Sequence, residues 1–92
     1  MKILETTFTK KGFVHTLLQR NGNVAVYRRQ KIGGKAVQFE TVIIGSHNGY
    51  EIGGVKVEPA ETYPSSEQWG AKGFTFNDES AAISKAKQLE TL

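Results

Sequence analysis

The chain has no cysteine, which excludes disulfides and thiolate metal sites together. It has only two histidines, His15 and His47, so a zinc site would have to draw its remaining ligands from carboxylates, and no metal or other cofactor is expected. No apolar run approaches the ~20 residues that a membrane-spanning helix needs. The opening Met1-Lys2-Ile3-Leu4-Glu5 places an acidic residue where a signal peptide requires an apolar stretch. The expectation is a cytoplasmic protein without membrane contact. Proline occurs twice, at Pro59 and Pro64, and Pro59 ends the strand before it or places it at an edge. The 92 residues fit one small domain spanning residues 1–92, near the lower end of what folds on its own core.

What is present is an uneven charge. Residues 1–46 hold eight Lys and Arg against two Glu, and residues 47–92 hold four against seven acids. A basic half can serve an anionic partner; it can equally be a solvated edge that keeps a small sheet unpaired.

Turn signals divide the chain into short β-prone runs. Ile3 to Thr9 precedes Lys10-Lys11-Gly12. Phe13 to Arg20 and Asn23 to Lys31 flank Asn21-Gly22, and Ala36 to Ile44 follows Gly33-Gly34. Asn-Gly between β-prone runs is a strong hairpin signal, because both turn positions take φ > 0. With Asn21-Gly22 as the turn, Arg20 faces Asn23, Leu18 faces Ala25 and Leu17 faces Val26. With Gly33-Gly34 as the turn, Arg28 faces Phe39, Val26 faces Thr41 and Val24 faces Ile43.

Period-2 alternation then sorts the side chains. One face carries Phe13, Leu17, Val24, Val26, Val37, Phe39 and Ile43 and is the expected core face. The other carries Val14, Thr16, Leu18, Arg20, Ala25, Tyr27, Arg29, Lys31, Gln38, Glu40, Val42 and Ile44, with a basic aromatic end around Tyr27, Arg29 and Lys31. Two fates are open for this mixed face. It is an apolar patch for a protein partner or a second copy, or the segment 45–70 folds over it.

In the second half, Gly53-Gly54 closes a small hairpin with Ile52 opposite Val55 and Glu51 opposite Lys56. Ser65, Gln68 and Gly70 mark a capped helical turn. Phe74-Thr75-Phe76 is a β run, and Asn77 is the expected cap of a helix from about Asp78 to Glu90. Its stripe of Ala82, Ile83, Ala86 and Leu89 suits close packing on a sheet. The fold class is α+β: an antiparallel meander of three to five strands with a C-terminal helix packed on it.

No residue pattern points to catalysis. Gly45-Ser46-His47-Asn48-Gly49 lacks the Gly-x-Ser-x-Gly of a nucleophile elbow and reads as a polar turn capped by its own side chains. Glu51, Glu58, Glu61 and Glu67 read as an acidic rim, since paired-carboxylate chemistry needs a defined cleft. The glycines match neither Gly-x-Gly-x-x-Gly nor a P-loop. Tyr27 with Arg20, Arg28, Arg29 and Lys31 is the candidate binding surface, an aromatic to stack a base among cations to hold phosphates.

The run from Ser46 to Glu61, followed by Tyr63-Pro64-Ser65-Ser66-Glu67-Gln68-Trp69-Gly70, Gly73-Phe74-Thr75-Phe76 and a short helix, resembles small proteins encoded by tailed phages and prophages. With Asn21-Gly22 and Ala25-Val26-Tyr27, the likeness covers most of the chain. It implies a bacterial host cytoplasm and no catalytic residues. A fainter similarity to WGR modules, through Trp69-Gly70 and Gly73, stops at Ala71, where that motif has Arg. The sequence thus points to a non-enzymatic accessory protein that binds a host or phage protein or itself, with nucleic-acid binding by the basic half as the alternative.

Overall fold

The computed structural model describes residues 1–91. Its frame is a five-stranded antiparallel sheet in the order β1-β2-β3-β4-β9. The strands are β1 (Thr7–Lys10), β2 (Phe13–Asn21), β3 (Val24–Lys31), β4 (Val37–Ile43) and β9 (Gly73–Phe76). Between β4 and β9 the chain forms two short ribbons, β5 (Gly45–His47) with β8 (Ala60–Thr62), and β6 (Tyr50–Ile52) with β7 (Val55–Val57). One turn of 3₁₀ helix, Ser66–Gln68, precedes β9, and α1 (Glu79–Glu90) follows it. The fold is α+β, with the C-terminal α1 packed on the sheet.

The helix follows its sequence pattern. Ala82 and Ala86 are fully buried against Val26, with Val24, Phe39 and Phe76 around them. Alanine's single methyl lets the helix backbone come close enough for the buried Thr41 hydroxyl to donate to the Ala82 carbonyl at 2.7 Å. The cap is Asp78, one residue after the expected Asn77, and the Ser80 hydroxyl donates to its carboxylate.

The β3–β4 register is the expected one: Arg28 faces Phe39, Val26 faces Thr41 and Val24 faces Ile43. The β2–β3 register is not. Asn21 pairs with Val24, so the turn residues are Gly22 and Asn23. Only Gly22 has positive φ, +62°, whereas Asn23 does not enter that region. This is the pattern of a II′ turn, which needs glycine at its first central position alone. The later turn pairs Arg20 with Ala25 and Gln19 with Val26; a bulge at Leu18 then drops one residue, and Leu17 pairs with Tyr27.

That bulge separates residues expected to share one core face. Val26 and Phe39 face the helix. Leu17, through its pairing with Tyr27, faces the opposite side, and Phe13 follows by the same alternation. Apolar content did not choose between the faces because both are covered. Opposite the helix, Ala25, Tyr27, Val42 and Ile44 form a second buried cluster under Leu4, Phe8, Leu17, Tyr63 and Trp69. Tyr63 and Trp69 come from the 45–70 segment, so that segment does fold over the mixed face.

Candidate functional site

The covered face is organised around a carboxylate. Glu40 alternates with Val42 on β4 and is 3% exposed. Its Oε1 accepts from the Tyr63 hydroxyl at 2.7 Å and lies 3.3 Å from His15 Nε2. Its Oε2 lies 3.2 Å from Arg29 Nη1 and accepts from the Thr75 hydroxyl at 3.3 Å. Thr75 in turn accepts from Trp69 Nε1 at 3.0 Å. Burial alone would raise the Glu40 pKa; the bonds from His15 and Tyr63 and the charge of Arg29 outweigh it and hold it below the ordinary value. Burial, with Glu40 beside it, pushes the Tyr63 phenol up. Glu40 is therefore an ionised acceptor and Tyr63 a fixed donor. Among the described residues every buried side-chain nitrogen and oxygen has a partner.

Aromatic rings seal the network. Phe8 stacks on His15 with centroids 4.8 Å apart, as their strand pairing requires. Tyr63 meets Phe8, His15 and Tyr27 edge-on at 5.3–5.5 Å. The Trp69 ring lies across Gly73, whose missing side chain leaves it room.

Above this floor opens a cavity of about 330 Å³. Lys10, Lys11 and Arg29 supply its cations, and Tyr63 and Trp69 its aromatic wall. Lys10 Nζ donates to the Pro64 carbonyl at 3.1 Å and sits 5.0 Å over the Tyr63 ring. Burial lowers the Lys10 pKa, the Lys11 charge adds to this, and Glu40 partly offsets it. Arg29 is held by Gln38, its Nε donating at 3.0 Å, and stacks 4.3 Å over Phe13.

The five residues of the sequence-derived binding surface do not come together. Tyr27 is 1% exposed, its hydroxyl donating to the Glu5 carbonyl at 3.1 Å. It is a core residue and offers no ring for stacking, a consequence of the face being covered. Arg20 forks onto Glu61, with 2.8 Å from Nη1 to Oε1 and 2.6 Å from Nη2 to Oε2. Arg29 faces the cavity, whereas its neighbour Arg28 lies on the helix side and donates to Gln30 at 3.2 Å. Lys31 is exposed at the end of β3. The cations that do meet at the cavity are Lys10 and Lys11, from the Lys10-Lys11-Gly12 turn, with Arg29 of the basic patch. Glu40 had one legible signal, a lone acid among the inward positions of an apolar strand.

Two other features bear on function. His47 Nδ1 accepts the Gly49 N–H at 3.1 Å, the self-capped turn expected of this segment. The β6–β7 hairpin has the expected register, with Glu51 facing Lys56 and Ile52 facing Val55. One of its faces gathers Tyr50, Ile52, Val55 and Val57, and the first three are 50%, 65% and 65% exposed. Among the described residues the two strands pair only with each other. The radius of gyration is 14.1 Å, above the about 12 Å of a compact chain this long.

No helix among the described residues is long and apolar enough to cross a membrane. Comparison of the chain with family models, with curated proteins and with solved structures finds no match.

Proposed function

We propose that the protein is a non-enzymatic accessory protein that acts by gripping another protein, host or phage or a second copy of itself, with the β6–β7 hairpin. One observation carries this reading: Tyr50, Ile52 and Val55 present a shared apolar face to solvent on a ribbon of six paired residues. An isolated two-stranded hairpin is marginal in water, and a projecting apolar face of this kind is stabilised when a partner covers it. The bacterial, mobile-element setting rests on the sequence resemblance alone. The test is the double variant Ile52→Asp/Val55→Asp. Loss of self-association or of a captured partner, with the melting temperature held within a few degrees, supports the reading. Association equal in wild type and variant, or absent from both, removes it.

A second reading, nucleic-acid binding, is favoured by the cationic end of the sheet. The Ile32 N–H donates to the Gly12 carbonyl at 2.9 Å, bringing the β3 end with Lys31 beside the turn that carries Lys11. Binding of a single-stranded oligonucleotide that falls with salt and weakens in Lys11→Ala/Lys31→Ala supports it. Salt-independent or unchanged binding removes it.

A further inference from the structure

The cavity over Glu40 is separate from the hairpin and has a chemistry of its own. Its floor is saturated: both Glu40 oxygens are engaged by Tyr63, His15, Arg29 and Thr75. The carboxylate is thus spent within the protein, and its partners are fixed in place by it. What faces an incoming molecule is the remainder. Three cations, Lys10, Lys11 and Arg29, against the one carboxylate leave a surplus of positive charge on the lining. Lys11 has no carboxylate partner among the described residues, and its backbone is held in the left-handed region at φ 52°. That turn conformation is uncommon for a residue with a side chain, and Lys11 lines the cavity together with Lys10.

The wall is aromatic. Trp69 is oriented by its bond to Thr75 and by its seat on Gly73, and its centroid lies 6.4 Å from that of Tyr63 with a tilt of 32°. An oriented indole beside paired lysines suits a planar ring carrying an anionic tail: the ring gains stacking and the tail gains charge-assisted hydrogen bonds. The volume of about 330 Å³ lies at the lower end of small-molecule sites, roughly 300–1,000 Å³.

We infer that this cavity binds a phosphorylated nucleotide unit, the phosphate monoester on Lys10 and Lys11 and the base against Trp69. The unit comes either as a free nucleoside monophosphate or as the 5′-phosphorylated end of a strand. The site stands independently of the hairpin proposal, and failure of either leaves the other intact.

The test exploits the single tryptophan of the chain, which lines the cavity, so intrinsic fluorescence reports occupancy directly. The intact protein is titrated with AMP, adenosine and inorganic phosphate. Saturable quenching by AMP, tighter than by either fragment and weakened by added salt, is expected. Lys10→Gln/Lys11→Gln should weaken AMP by about tenfold or more, as when charge-assisted contacts to a phosphate are lost. Because Lys10 also braces Pro64, Lys11→Glu serves as the second variant. Its side chain is exposed, and the same loss is expected with an unchanged emission maximum before titration. Absence of saturable quenching, affinity for inorganic phosphate equal to that for AMP, or an AMP affinity indifferent to both variants overturns the inference. A 5′-phosphorylated tetranucleotide that binds more tightly than AMP, and than its 5′-hydroxyl form, supports a strand end as the source. Binding of AMP in preference to both supports the free nucleotide.

Discussion

The hydroxyl of Tyr63 donates to Oε1 of Glu40 at 2.7 Å, joining a loop residue to the middle of β4. The bond turns a buried carboxylate from a liability into the anchor of one face of the sheet. Without its donors Glu40 would be an unpaired charge in the core, and without Glu40 the Tyr63 hydroxyl would lose its acceptor and Arg29 its carboxylate. Glu40→Ala is therefore expected to destabilise by about 3 kcal/mol, since it strands Arg29 and the Tyr63 hydroxyl. Tyr63→Phe leaves three partners on the carboxylate and should lose about 1–2 kcal/mol. Urea unfolding of the two variants checks both the size and the order.

Acid sensitivity should trace to the ion pair at the other end of the same face. The fork from Arg20 and the N–H of Leu4 hold Glu61 at a pKa of about 2, against an ordinary 4.5. A folded value below the unfolded one stabilises fully above about 4.5, and that contribution is lost as the pH falls towards about 2. Glu40 is held low as well and adds to the same slope. Wild type should lose stability over this window, and Glu61→Gln should lose less, leaving the Glu40 share. Equal slopes in denaturation midpoint against pH would remove Glu61 from the account.

Gly73 is required by a neighbour. A Cβ there would lie 2.7 Å from Trp69 Cη2 and nearer still to two other ring carbons. Gly73→Ala should displace the indole, shift its emission to the red and cost about 1–3 kcal/mol, as overpacking does. In a Trp69→Ala background the same substitution should cost less, because the three nearest atoms it would meet all belong to that ring. A double-mutant cycle measures the difference.

Helix docking depends on small side chains. Ala86→Leu adds methylenes where there is no exposed surface and is expected to destabilise by about 1–3 kcal/mol. Thr41→Val removes the buried bond to Ala82 while keeping the shape, for a loss of about 1 kcal/mol. Thermal denaturation separates the two effects.

Local rules read well wherever a feature was closed by residues near each other in sequence. The β3–β4 register, the Glu51–Lys56 pairing, the Ser65–Gln68 turn and the Ala82/Ala86 stripe are all of this kind. The β2–β3 register failed because two hairpin turns are possible around Asn21-Gly22-Asn23, and a bulge at Leu18 then hides half the shift. The burial of Tyr27 was missed for a different reason. Its cover comes from Phe8 and Tyr63, distant in sequence on either side, and no periodicity within β3 announces them. The Arg20–Glu61 fork joins residues 41 apart in sequence, and no local pattern marks Arg20 as already paired.

The claim on which the functional account rests is that the Tyr50–Val57 hairpin is the contact arm. Site-specific photo-crosslinking in a bacterial host tests it most directly, with the reactive side chain at Ile52 and, as a control, at Lys87, which is exposed on the helix. Discrete adducts from position 52, either a dimer of this chain or one defined partner, and none from position 87 are expected. No adduct from position 52, or the same adducts from both positions, would contradict the account.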